Sequence, residues 1–182
     1  MKRVAPILTA AALVATFSAA PAAAQTQPYP GTIAAPVEVL KLSGPRFGVT
    51  AFTGEVATAR QSIDKSAFMT QFGWQAETQI LATSSGHQAL VEWVGLLGGV
   101  EQGEANLSGA LIAGYRLANG FELGAGPNIS YGSEASTFTS SMLLAAGITV
   151  PMGELRVPLN VAVALAEGGP RITTLVGWVV AR

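Results

Sequence analysis

From residue 46 onward, hydrophobic and polar positions alternate with a period of two, the spacing of strands whose successive side chains face opposite sides of a sheet. In 68–80, Phe68, Phe72, Trp74, Ala76 and Ile80 share one side with Thr70 and Thr78, while Gln71, Gly73, Gln75, Glu77 and Gln79 fall on the other. In 121–131, Phe121, Leu123, Ala125, Pro127, Ile129 and Tyr131 oppose Glu122, Gly124, Gly126, Asn128 and Ser130. In 155–165, Leu155, Val157, Leu159, Val161, Val163 and Leu165 oppose Arg156, Pro158, Asn160, Ala162 and Ala164. Less regular runs complete about eight predicted strands: 46–54, 67–82, 87–97, 106–117, 121–132, 139–151, 155–166 and 171–181. No helical period of useful length is read between them, and no sequence repeat of the kind that builds solenoids.

The connections alternate in length. Those at 55–66, 98–105 and 132–138 are longer, and those at 83–86, 118–120 and 152–154 are tight. Asn119-Gly120 is a strong hairpin signal, because both residues accept positive φ. The predicted fold is all-β, an antiparallel up-and-down barrel of about eight strands, since closure removes the reactive edges of a sheet. Two such barrels are inside-out versions of each other. A lipocalin-like soluble barrel turns apolar residues inward, and a transmembrane barrel turns them toward lipid.

Charge favours the second. Charged residues make up 12% of the chain and hydrophobic ones 49%, against about a quarter charged in soluble domains. In the clear strands the apolar face carries no charge. The other face combines small residues with Gln71, Gln75, Glu77, Glu92, Arg116, Glu122, Asn128, Arg156, Asn160 and Arg171, a predicted interior polar network. Its acids and arginines can pair, as buried charges must. Trp74, Trp93, Tyr115, Tyr131 and Trp178 are predicted to form an interfacial aromatic girdle.

The N-terminal segment sets the compartment. Met1-Lys2-Arg3, an alanine-rich apolar run, and Ala22-Ala23-Ala24 before Gln25 read as a signal peptide over residues 1–24. An uncleaved anchor is the weaker alternative. Residues 25–45, with Pro28, Pro30, Pro36 and Pro45, are read as an extended lead-in (a short strand near 37–42 remaining open), and 46–182 as the barrel domain. Removing Lys2 and Arg3 takes the formal net charge from -1 to -3, which does not suit nucleic acid. The chain has no cysteine, so disulfides, thiolate catalysis and cysteine-type zinc sites are excluded.

Chemical candidates are sparse, and neither a metal nor a cofactor is expected. His87 is the sole histidine. Ser84, Ser85, His87 and Glu92 hold the residue types of a hydrolytic triad, but no nucleophile elbow accompanies them. Gly124-x-Gly126 lies within a strand and opens no helix, so it reads as tight packing rather than a nucleotide loop. Glu101 and Glu104 after Gly98-Gly99 lack calcium-loop spacing.

The leader, the eight alternating strands and the Glu/Arg/Gln interior resemble the OmpA/OmpX class of small outer-membrane barrels. Leu42-Ser43-Gly44-Pro45-Arg46, Gln71-Phe72-Gly73-Trp74-Gln75, Glu101-Gln102-Gly103 and Gly124-Ala125-Gly126-Pro127-Asn128 are also similar to a family of uncharacterised exported bacterial proteins. Barrels of the first class finish in an aromatic residue, whereas this chain ends Gly177-Trp178-Val179-Val180-Ala181-Arg182. The resemblance implies a non-enzymatic barrel in the outer membrane with membrane lipid as its surroundings, a structural, adhesive or narrow-pore role, and an external-loop partner. The alternatives are a soluble periplasmic barrel binding an apolar small molecule and, third, a lipid-modifying enzyme using His87.

Overall fold

The computed structural model describes residues 40–132 and 136–181; the expected signal peptide and most of the lead-in lie outside them. The strands are β1 (Lys41–Phe52), β2 (Phe68–Ala82), β3 (Gln88–Gly98), β4 (Asn106–Arg116), β5 (Phe121–Gly132), β6 (Thr137–Met152), β7 (Leu155–Leu165), β8 (Arg171–Gly177) and the two-residue β9 (Val180–Ala181). Each pairs antiparallel with the next through β8, and β1 pairs with both β2 and β8. The sheet is therefore a closed eight-stranded barrel, with β9 extending the line of β8 along β1. This is the architecture that the OmpA/OmpX resemblance implies.

Two ends differ. The turn side carries the tight connections β2–β3, β4–β5 and β6–β7 and the start of β1. There Gly120 takes φ 85° and its amide donates to the Leu117 carbonyl at 2.9 Å. Asn119 does not take the positive φ that the Asn-Gly pair allows, so the hairpin turns through a three-residue loop closed by one left-handed glycine. The loop side carries the β1–β2, β3–β4, β5–β6 and β7–β8 connections.

Alternation decides which face points where. On β2, Gln71 and Gln75 are 8% and 1% exposed, whereas Phe72 and Trp74 are 47% and 42% exposed. The same parity holds around the ring, with Phe47, Val91, Trp93, Leu111, Leu123, Leu144, Leu159 and Val176 all exposed. Of the charged strand residues, Lys41 at the end of β1 is the one on the outward face; Arg46, Glu77, Glu92, Arg116 and Glu122 are buried inside. This is the inverse of the lipocalin-like arrangement, which would have placed Phe72 and Trp74 in the core. An eleven-residue strand rises about 36 Å, and tilting by about 40° in a barrel brings its height to roughly 28 Å.

Three local readings need correction. β1 begins at Lys41, not Arg46. Gly44 and Pro45 look like strand breakers, but they face the gap between β8 and β9, where the ladder along β1 is already interrupted at Trp178. The missing Pro45 amide therefore costs no cross-strand bond on that side. A Cβ at position 44 would lie 1.8 Å from the Trp178 carbonyl oxygen, so this close approach requires glycine. Second, the connection 53–67 contains an eight-residue helix, α1 (Gly54–Gln61), and none of its residues is buried. With no buried face it leaves no apolar stripe to read. Third, the last predicted strand is broken at Trp178 rather than continuous over 171–181.

Candidate functional site

The site is the barrel lumen, and its two halves are chemically distinct. On the turn side Arg116, from the end of β4, lies between Glu77 of β2 and Glu122 of β5. Its Nη1 and Nη2 donate to Glu77 Oε1 and Oε2 at 2.7 and 2.6 Å, and its Nε donates to Glu122 Oε1 at 2.8 Å. Gln88 Oε1 accepts a further bond from Nη1 at 3.1 Å. The planar guanidinium matches a carboxylate in this fork geometry, so the pairing fixes direction as well as charge.

One layer toward the loops, Arg46 of β1 crosses the lumen. It donates through Nε to Gln75 Oε1, through Nη1 to the Pro158 carbonyl at 3.0 Å and through Nη2 to Asn160 Oδ1 at 2.9 Å. Gln75 passes the chain on by donating to Glu92, whose carboxylate lies 4.0 Å from Arg46. Carboxylate oxygens of Glu77, Glu92 and Glu122 approach within 4.8 Å of one another. That spacing suits a cation in principle, but the two guanidiniums already occupy the surroundings of all three. These layers, spanning the lumen from strand to strand, seal its turn-side half.

Above them the lumen opens into a cavity of about 360 Å³. Much of its wall is apolar: Val94, Ile112, Leu143, Ala164 and Leu175 form one cluster, with Leu96, Ala110, Ala145 and Ala162 packed against it, while Thr50, Gln71, Asn128 and Thr173 add polar positions. Arg46, Gln75, Glu92 and Asn160 make the floor, and Ser108, Ser130 and Thr139 lie toward the mouth.

The loop side is ordered by its own polar contacts. Arg60 of α1 donates to both oxygens of Glu104 at 2.9 and 3.0 Å, Lys65 Nζ lies 3.6 Å from Glu104, and Asn106 donates to it at 2.7 Å. Burial alone would raise the Glu104 carboxyl, but the Arg60 and Asn106 bonds and the Lys65 charge outweigh it and hold it below the ordinary range. Glu101, in the short 3-10 turn Val100–Gln102, accepts from the Thr70 amide at 2.8 Å and the Thr70 hydroxyl at 2.5 Å. Slight burial again pushes upward, and these bonds prevail, bringing its carboxyl to about 2. Glu101 and Glu104 are thus committed to different partners.

The sequence-predicted interior residues divide among these layers. Gln75, Glu77, Glu92, Arg116, Glu122 and Asn160 come together in the ionic half. Gln71 donates to Thr50, and Asn128 donates to Ser130 at 3.2 Å and Ser141 at 3.3 Å, both higher in the lumen. Arg156 lies at the turn side, where its backbone exchanges two bonds with Val179. Arg171 lies at the loop side, 5.7 Å from the Phe52 ring centroid, and joins neither ionic layer. Of the aromatics, Tyr115 and Trp178 are near the turn side and Tyr131 is near the loop side, while Trp74 and Trp93 sit midway along β2 and β3. Trp178 stacks on Phe47 at 5.9 Å and Tyr131 packs against Phe138 at 4.8 Å.

Arg46 and the Arg60–Glu104 pair were missed. The signal for Arg46 was present, because Arg46, Gly48 and Thr50 alternate with Phe47, Val49 and Ala51. The hydrolytic set is not assembled. His87 stacks outside the wall on Tyr115 at 5.9 Å, Ser85 shares a 2.8 Å bond with Thr83, and Glu92 points into the lumen.

No family model matches the chain, and no curated protein matches its sequence. Solved structures of Ail, the attachment invasion locus protein of Yersinia pestis, are similar. One has a TM-score of 0.47 at 12% identity and covers 78% of this chain and 98% of that one. The other, Ail in complex with the heparin analogue sucrose octasulfate, has a TM-score of 0.46 at 11% identity and covers 78% and 99%.

Proposed function

We propose that the chain is a non-enzymatic outer-membrane barrel that anchors an ordered set of external loops, with a structural or adhesive role. One observation carries this reading: bulky apolar side chains cover the outside of the strands while the charged ones, Lys41 apart, are turned inward. Such a surface is stable against hydrocarbon and would aggregate in water. Membrane lipid is then the partner of the whole belt. Tyr115, Trp178 and Tyr131 suit the two interfaces of the bilayer, and residues 1–24 would serve as the export signal.

The ionic layers weigh against the narrow-pore variant of this role, because ion flow would have to break Arg116–Glu77–Glu122 and Arg46–Gln75–Glu92. The tethering of α1 to the Val100–Gln102 turn favours a preformed external surface over floppy loops. Fractionation tests the proposal. The protein should require detergent for extraction and show heat-modifiable mobility on gels. Release by osmotic shock would refute it.

A further inference from the structure

We infer that the loop-side half of the lumen is a binding site for a single-chain anionic amphiphile, a medium-chain carboxylate whose apolar tail fills the cavity and whose head pairs with Arg171. The shape comes first. A cavity of about 360 Å³ falls within the range of small-molecule pockets, roughly 300–1,000 Å³. Arg171, Thr173 and Leu175 step down one wall. Four residues of strand rise about 13 Å, so at barrel tilt the cavity is roughly 10 Å deep. Its middle is lined by Val94, Ile112, Leu143 and Leu175, and Glu92, the cross-strand neighbour of Ile112, marks the lower edge of that band. The charged floor of Arg46 and Glu92 sets where a tail must end.

Charge complementarity names the head group. Two guanidiniums lie over the Phe52 ring, Arg60 at 4.5 Å and Arg171 at 5.7 Å from its centroid. Arg60 is neutralised by Glu104. Arg171 lines the cavity and has no ion-pair partner among the described residues; its Nε is enclosed without a hydrogen bond, so a head group would meet its terminal Nη1 and Nη2. A half-buried guanidinium without an acceptor is costly, and a carboxylate supplies two acceptors in the geometry its two terminal nitrogens require. An uncharged apolar ligand would leave this group unpaired. The site goes beyond the anchoring role, because it depends on the lumen and not on the bilayer.

The test uses the full chain in phosphatidylcholine nanodiscs with decanoic acid carrying a diazirine at its tail, and the matching decanol. Photolabelled residues are mapped by mass spectrometry. The inference expects decanoate label on inward Ile112, Leu143 or Leu175, displaced by excess plain decanoate. Arg171→Gln should cut that label about tenfold, the effect of about 1.4 kcal/mol, Arg171→Lys should restore part of it, and decanol labelling should not respond to either. Ala110→Phe should abolish the inward label by filling the cavity, with Ala162→Phe as a second variant if the first fails to fold. Label confined to outward residues such as Leu144, or inward label indifferent to Arg171→Gln, would overturn the inference. Tryptophan quenching by lipid tests the membrane reading separately, so the two can fail independently.

Discussion

The two halves of one lumen are built from the same eight strands and solve the same problem differently. The turn-side half is filled by guanidinium–carboxylate layers whose hydrogen bonds run from wall to wall. The loop-side half is lined by a cluster of Leu, Val, Ile and Ala with uncharged polar residues such as Thr50, Gln71 and Asn128 among them, and is left open. Alternation alone therefore fixes which side chains enter a barrel, while their size and charge, layer by layer, decide whether the space becomes a seal or a cavity. A charged layer tolerates no vacancy, because each carboxylate depends on its partner. An apolar layer can change in volume without leaving a charge behind.

That contrast predicts unequal responses to mutation. Arg116→Met should be the most damaging change, since it strands Glu77 and Glu122 together in a buried site; a loss of about 3–5 kcal/mol is expected. Urea titration of the barrel in vesicles measures it, and adding Glu77→Gln and Glu122→Gln should recover much of the loss. Next come steric changes. A Cβ at Gly126 would lie 1.8 Å from the Leu111 carbonyl oxygen, so Gly126→Ala should cost about 1–3 kcal/mol as an overpacked site. Ala110→Phe, a far larger addition, should be better tolerated because it projects into existing space. If Ala110→Phe proved as damaging as Gly126→Ala, the space beside position 110 would not be open.

The smallest effect concerns pH at the loop side. Glu104 is held below its ordinary range when folded, so it stabilises the loops above the unfolded carboxylate pKa and loses that contribution as pH falls through the folded one. Acidification below the ordinary carboxylate range should speed hydrogen exchange in α1, and Glu104→Gln should remove that dependence while leaving the barrel strands protected.

Much of this was legible in the residues. Alternation in 68–80, 121–131 and 155–165 placed Gln75, Glu77, Glu122 and Asn160 on the inward face. The connections separated a turn side from a loop side. Arg46 was obscured by Gly44-Pro45, whose punctuation reads as a loop until the gap between β8 and β9 is seen. The helix α1 buries nothing and so left no pattern. The cavity was hidden for another reason. In β6, Leu143 and Ala145 point inward while Leu144 and Ala146 face out, so both faces are apolar and the period disappears. Partnering of Arg116 with two acids, and the lack of an ion pair on Arg171 among the described residues, depend on register between distant strands, which no local pattern carries.

The central claim is that the apolar face of the barrel meets lipid. Trp74, Trp93 and Trp178 are its three tryptophans, all exposed on the outer wall. With Trp178 replaced by Phe, the emission of the remaining two reports mid-strand positions alone. In bilayers of phosphatidylcholine brominated along its acyl chains, that emission should be strongly quenched, most by bromines near the bilayer centre. Emission unchanged by brominated lipid, and quenched instead by iodide from the water, would contradict the account.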